Sequence, residues 1–195
     1  MTRSFALTFD YRCPFARNAH EAVVAALREG RDWQVRFLPF SLDQVHVPEG
    51  EAPVWKRAQG ERGSGIMALE WGIAARDAFP EQFLDFHIAL FALRHDLARK
   101  LDDVDALRDA AKRSGLDPDA VEAKVATGAP LATLAREHED AVKTWSVFGV
   151  PTFIEDDEAV FVRFMERGRT DDLDRALDLV QWSRLNEFKR TRVPR

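Results

Sequence analysis

The 195-residue chain holds one cysteine, Cys13, and one tyrosine, Tyr11. A single cysteine excludes an intramolecular disulfide framework and a cysteine-based zinc site. No stretch approaches the run of about 18 apolar residues that a membrane span needs. Excess positive charge is missing too: 28 Lys and Arg stand against 33 Asp and Glu, a formal net charge of −5. That balance argues against a nucleic-acid groove and against a general binder of anionic membranes. The first ten residues lack the basic region, apolar region and small-residue cleavage site of a secretory signal. The expected location is the cytoplasm, where thiols stay mostly reduced. Internal repeats and low-complexity segments are absent.

What is present suffices for a core. Hydrophobic residues make up 46% and charged residues 31% of the chain, which fits one large domain or a small domain with an insertion. Residues 5–9 form a short apolar run of strand formers. Pro14 then stands where a helix best tolerates proline, and Ala16, Ala19, Val23 and Leu27 recur at helical spacing until Gly30. Residues 33–40 alternate as a second strand closed by a proline. Strand, helix, strand predicts a parallel pair with a right-handed crossover.

From about 53 to 146 helical periodicity dominates, with segments expected at 66–79, 83–95, 104–114, 118–127 and 130–145, after a loop at 41–52. Strand patterns return at 151–154 and 159–162 around an acidic turn at 155–158. A closing helix is expected over 171–185, followed by a solvated basic tail at 189–195. The expected fold class is α/β, with residues 1–40 and 147–195 forming one domain and 53–146 an inserted helical subdomain.

Cys13 falls between the first strand and the first helix, where unpaired backbone N–H groups and the helix dipole favour an anion. The position predicts eased ionisation of the thiol, with Arg12 and Arg17 as cations within reach. The alternative is an inert buried cysteine. Tyr11 and Phe15 bracket the thiol and either line an apolar substrate slot or pack at the strand end. Pro151, in Gly149-Val150-Pro151-Thr152-Phe153, opens a strand without an N–H to donate; a cis Val150–Pro151 bond or an ordinary trans proline both fit.

Cys13-Pro14-Phe15-Ala16, the helical insertion and the Val150-Pro151-Thr152 segment together resemble the DsbA-like branch of the thioredoxin superfamily. That branch includes thiol–disulfide oxidoreductases and 2-hydroxychromene-2-carboxylate isomerase-like proteins. The closing 188–192 stretch resembles actinobacterial members, some of which use mycothiol. The resemblance implies a thioredoxin-like fold with its helical insertion between the second and third strands. It also implies that Cys13 is the nucleophile, that a cis Pro151 shapes the ligand groove, and that Pro14, Phe15, Val150 and Thr152 contact the ligand.

The chain departs from the dithiol pattern at one position: Ala16 stands where a dithiol member carries its resolving cysteine. Cys13 therefore has to be resolved by an outside thiol, such as mycothiol or glutathione as co-substrate, with no tightly bound cofactor. The alternatives are a thiol-cofactor-dependent isomerase or transferase, or a non-catalytic binding protein on the same fold. Expected partners are a small-molecule thiol or disulfide, and base rates alone make a homodimer plausible. The five histidines show no paired ligand motif, so no metal is expected. His20 is read as tuning the thiol through space at most, and His138 as a solvated or interface residue.

Overall fold

The computed structural model describes residues 2–192. Residues 193–195 of the basic tail lie outside the described residues. The N-terminal unit comprises β1 (Arg3–Phe9), α1 (Pro14–Arg28) and β2 (Trp33–Pro39). The two strands pair in parallel from Arg3↔Trp33 to Phe9↔Pro39. β3 (Thr152–Glu155) joins the other edge of β1 antiparallel, and β4 (Glu158–Phe161) pairs antiparallel with β3. The sheet order is thus β2-β1-β3-β4. β1 lies inside the sheet and both of its faces are covered: Phe5, Leu7 and Phe9 are buried on one side and Thr8 on the other.

Six α-helices separate β2 from β3 in the chain, with short 3-10 turns at Val54–Lys56 and Gln59–Glu61: α2 (Leu42–Val45), α3 (Ile66–Ala78), α4 (Pro80–His95), α5 (Val104–Arg113), α6 (Pro118–Ala126) and α7 (Ala129–Trp145). α8 (Asp171–Val180) follows β4. Side-chain caps explain several starts. Asp103 accepts the Ala106 N–H at 3.1 Å, and Asp117 accepts the Asp119 N–H at 3.0 Å. α4 begins three residues before the expected 83, because Pro80 takes the first helical position, where a missing N–H costs nothing. α2 occupies part of the expected 41–52 loop, nucleated by Ser41 Oγ accepting the Gln44 N–H at 3.1 Å.

Three expectations are corrected. The acidic turn shrinks to Asp156 and Asp157, with Asp156 at φ 53°, and Glu155 belongs to β3. Glu155 is buried and accepts from Arg3 Nε at 2.7 Å and Nη2 at 2.8 Å, so its charge is matched by a forked guanidinium. His138 is also buried, stacked on Phe40 at 4.1 Å, with Nδ1 accepting the Ser41 N–H at 3.2 Å. Burial lowers its pKa to about 4. α8 ends at Val180 rather than 185, after burying Leu173, Ala176, Leu177 and Val180.

Candidate active site

β1 runs out at Phe9, and the next four residues turn the chain into α1. The Cys13 N–H donates to the Asp10 carbonyl at 3.0 Å. Cys13 is the residue that caps α1, and its Sγ accepts the Ala16 N–H at 3.4 Å. Across the mouth of the helix, the Cys13 thiol donates to the Val150 carbonyl at 3.3 Å. The Val150–Pro151 peptide is cis. One sulfur thus touches both the start of α1 and the loop that enters β3, 137 residues later in the chain.

That loop is tied to β1. The Thr152 N–H donates to Thr8 Oγ1 at 2.8 Å, and Thr152 Oγ1 donates to the Gly149 carbonyl at 2.8 Å. Val150, Pro151 and Thr152 are all buried, with Pro14 exposed and Phe15 half-buried beside the thiol. Past β4, the Val162 N–H donates to the Pro151 carbonyl at 3.1 Å, which holds the following residues against the same loop. Phe148 is 68% exposed and stands 5.2 Å from the Phe161 ring.

The expectation of eased thiol ionisation is corrected. Cys13 is only 8% exposed, and burial pushes its pKa up, because a thiolate loses water that few groups replace. The Ala16 and Phe15 N–H groups pull in the opposite direction, the buried Asp10 adds to the rise, and Arg163 opposes it. Arg12 and Arg17, expected to stabilise the thiolate, are engaged elsewhere. Arg12 pairs with Asp43, while Arg17 pairs with Glu21 at 3.0 Å and with Asp96. Arg163 is the site cation that the sequence reading missed. Its signal was weak: strand alternation carried past β4 puts 161 and 163 on one face.

Asp10 is fully buried, with Oδ1 accepting the Arg12 N–H at 2.8 Å and Oδ2 the Leu42 N–H at 2.7 Å. Burial outweighs those two bonds and raises its pKa to about 6.

Tyr11 does not line a slot; of the two readings left open, packing is the one found. It is fully buried, and its hydroxyl lies 2.9 Å from His87 Nδ1. His87 Nε2 lies 2.9 Å from His20 Nδ1, and His20 Nε2 lies 3.1 Å from the Thr8 carbonyl. The carbonyl can only accept, so His20 carries its proton on Nε2 and accepts at Nδ1. His87 then donates from Nε2 and accepts at Nδ1, and the Tyr11 hydroxyl donates. Every proton in the chain is assigned, and both rings are neutral. Burial agrees with this, lowering His20 to about 3 and His87 well below the usual histidine value. Gly72 of α3 makes room for the phenol: a β-carbon there would fall 2.2 Å from the Tyr11 hydroxyl oxygen.

A cavity of about 420 Å³ lies in the helical layer, walled by Met67, Glu70, Trp71, Val125 and Leu131, and includes none of the residues around the thiol. Around the thiol in the chain, Pro14 is exposed and Phe15 half-buried, and the Arg163 guanidinium lies 5.3 Å from the centre of the Phe15 ring.

A four-stranded mixed sheet with a thiol at the first helix N-terminus, facing a cis-proline loop, defines a thioredoxin-like protein. The family described as "DSBA-like thioredoxin domain" matches residues 6–178, and the chain belongs to that family. Solved structures agree on the fold. A thioredoxin-like oxidoreductase from Silicibacter pomeroyi is 21% identical with a TM-score of 0.59, covering 92% of this chain and 87% of that one. A single-site variant of Pseudomonas aeruginosa DsbA is 19% identical with a TM-score of 0.62, covering 93% and 86%. A 2-hydroxychromene-2-carboxylate isomerase is 15% identical with a TM-score of 0.63, covering 94% and 100%. No curated protein matches the chain by sequence.

Proposed function

We propose that this protein is a thiol–disulfide oxidoreductase that works through Cys13 alone. The observation that carries the reading is the position of Sγ, capping α1 and 3.3 Å from the Val150 carbonyl. Cys13 first gives its proton to solvent. The thiolate attacks one sulfur of a disulfide RS–SR; the S–S bond breaks, a Cys13–SR bond forms, and RS⁻ leaves and takes up a proton. Ala16 offers no second thiol, so an external thiolate R′S⁻ attacks the mixed disulfide, frees Cys13 and carries away RS–SR′. The net exchange is RSSR plus R′SH giving RSH plus RSSR′, with no further oxidant. Mycothiol or glutathione, in a reducing compartment such as the cytoplasm, suits the role of R′SH.

The α1 N-terminus contributes the Ala16 and Phe15 N–H groups, which favour the anion that attacks and the anion that is expelled on resolution. The Val150 carbonyl does the reverse: it accepts the thiol proton and so favours the protonated form from which the attacking thiolate is released to solvent. That bond also supports a second reading: a protonated Cys13 could donate to a bound thiol cofactor in an isomerase or transferase, leaving the chemistry to the cofactor.

Mass spectrometry after exposure to oxidised glutathione or mycothiol disulfide tests the first reading. One adduct is expected, on Cys13, removed by excess free thiol. No adduct under conditions that modify a free cysteine peptide overturns it. A Cys13→Ser variant with full thiol-dependent turnover establishes the second reading instead.

A further inference from the structure

Arg163 is exposed, and the backbone on either side of it is anchored. On one side, the Val162 N–H is bound to the Pro151 carbonyl at 3.1 Å. On the other, Asn18 Nδ2 of α1 donates to the Phe164 carbonyl at 2.8 Å. The residue between them is therefore anchored both to the loop facing the thiol and to the helix that the thiol caps. Its guanidinium carbon lies 5.3 Å from the centre of the Phe15 ring and 5.4 Å from that of Phe161. Two rings thus hold one cation beside Cys13, an arrangement that limits its rotamers before any ligand arrives.

Two nearby arginines, Arg167 and Arg169, are used differently. Arg167 pairs with Glu21 at 2.7 Å and Arg169 with Asp171 at 2.9 Å. Arg163 is exposed and among the described residues no carboxylate pairs with it, which leaves its charge without an acidic partner. A guanidinium presents a planar fork of N–H groups that matches a carboxylate. Next to it, Phe148 and Phe161 offer apolar ring surface to the body of the same ligand. Arg12 and Arg17, the cations near Cys13 in sequence, are by contrast neutralised by acidic partners.

Building on the disulfide reading above, we infer that Arg163 selects disulfides bearing a carboxylate within a few bonds of the sulfur pair. Arg163 is a specificity residue: it orients the substrate's anionic group, while Cys13 alone makes and breaks bonds. Neutral and cationic disulfides of similar size are the disfavoured substrates.

Three probes separate the effects: dithiobis(nitrobenzoate), aromatic and anionic; dithiodipyridine, aromatic and neutral; and cystamine, cationic. Each second-order rate with the protein is divided by that probe's rate with free cysteine, which removes intrinsic reactivity. The ratio of anionic to neutral probe then cancels any change in Cys13 ionisation. In the unaltered protein this ratio is expected to favour the anion and to fall as salt rises. Arg163→Gln should lower it about tenfold and flatten its salt dependence, while Arg163→Lys should retain part of it. A ratio unchanged within about twofold in Arg163→Gln overturns the inference and leaves the thiol chemistry standing. Failure of all three probes to modify Cys13 overturns the disulfide reading itself.

Discussion

Two clusters of polar groups meet at the end of β1, and they are built on opposite terms. Behind the strand, Tyr11, His87, His20 and the Thr8 carbonyl form a closed series in which each donor has one acceptor and no charge is present. In front of it, Cys13 sits between groups that disagree: two N–H groups favour its anion, while burial, Asp10 and the Val150 carbonyl favour its proton. The first cluster fixes geometry, because a buried series with every partner satisfied has a single good arrangement. The second leaves a proton free to move. The two share Thr8, whose carbonyl ends the histidine series and whose hydroxyl accepts from Thr152 beside the cis-proline.

Alkylation of Cys13 as a function of pH should show the largest effect on the front cluster. A thiol held above its ordinary range stays protonated at neutrality, so the rate is expected to rise about tenfold per pH unit, roughly a thousandfold between pH 6 and 9. A plateau at neutral pH would mean that the helix N-terminus wins and that burial does not set this thiol.

Acid should break the back cluster. His20 of that cluster, and His138 packed on Phe40, are neutral in the fold and titrate at about 3 and about 4 there, against about 6.5 when unfolded, and His87 of the cluster is likewise held well below that value. The unfolded chain therefore binds more protons as pH falls below 6.5, and stability is lost down to the folded values. Asp10 works in the other direction: with a folded value of about 6, its contribution grows as pH drops through that point. The histidines outweigh it, and a net loss of at least about 3 kcal/mol is expected between pH 6.5 and 4. Urea unfolding at several pH values checks this; flat stability over that range would contradict the neutral series.

The smallest effect comes from Tyr11→Phe, which keeps the ring and removes one donor. His87 Nδ1 is then buried without a partner, at a cost of about 1–3 kcal/mol in chemical denaturation. The normalised Cys13 reactivity should change little, because the front cluster keeps all of its own contacts.

Much of the frame was legible because it depends on neighbours in sequence. Pro14 and Gly30 bracket α1, Pro39 closes β2, and the alternation near Phe153 and Val160 marks the hairpin. The place of Cys13 at a helix N-terminus was likewise readable, but its ionisation was not. The dipole is a local property, whereas the burial that outweighs it comes from the whole fold. Arg12 and Arg17 adjoin the thiol in sequence, yet their partners Asp43 and Asp96 arrive from α2 and from the end of α4. Arg163 reaches the site through the Pro151 and Asn18 anchors, which no spacing announces. The histidine series was equally hidden, since His20 and His87 lie 67 positions apart and meet only when α1 packs on α4.

Gly72 gives the helical layer a notch that receives the phenol of Tyr11. Even alanine would collide there with the tip of a fully buried ring that also packs against Phe9 and Phe91. The insertion and the sheet are consequently keyed together at a single missing methyl group. A helix shifted along its axis would present a side chain to the phenol instead, so the lock admits one alignment of the two layers.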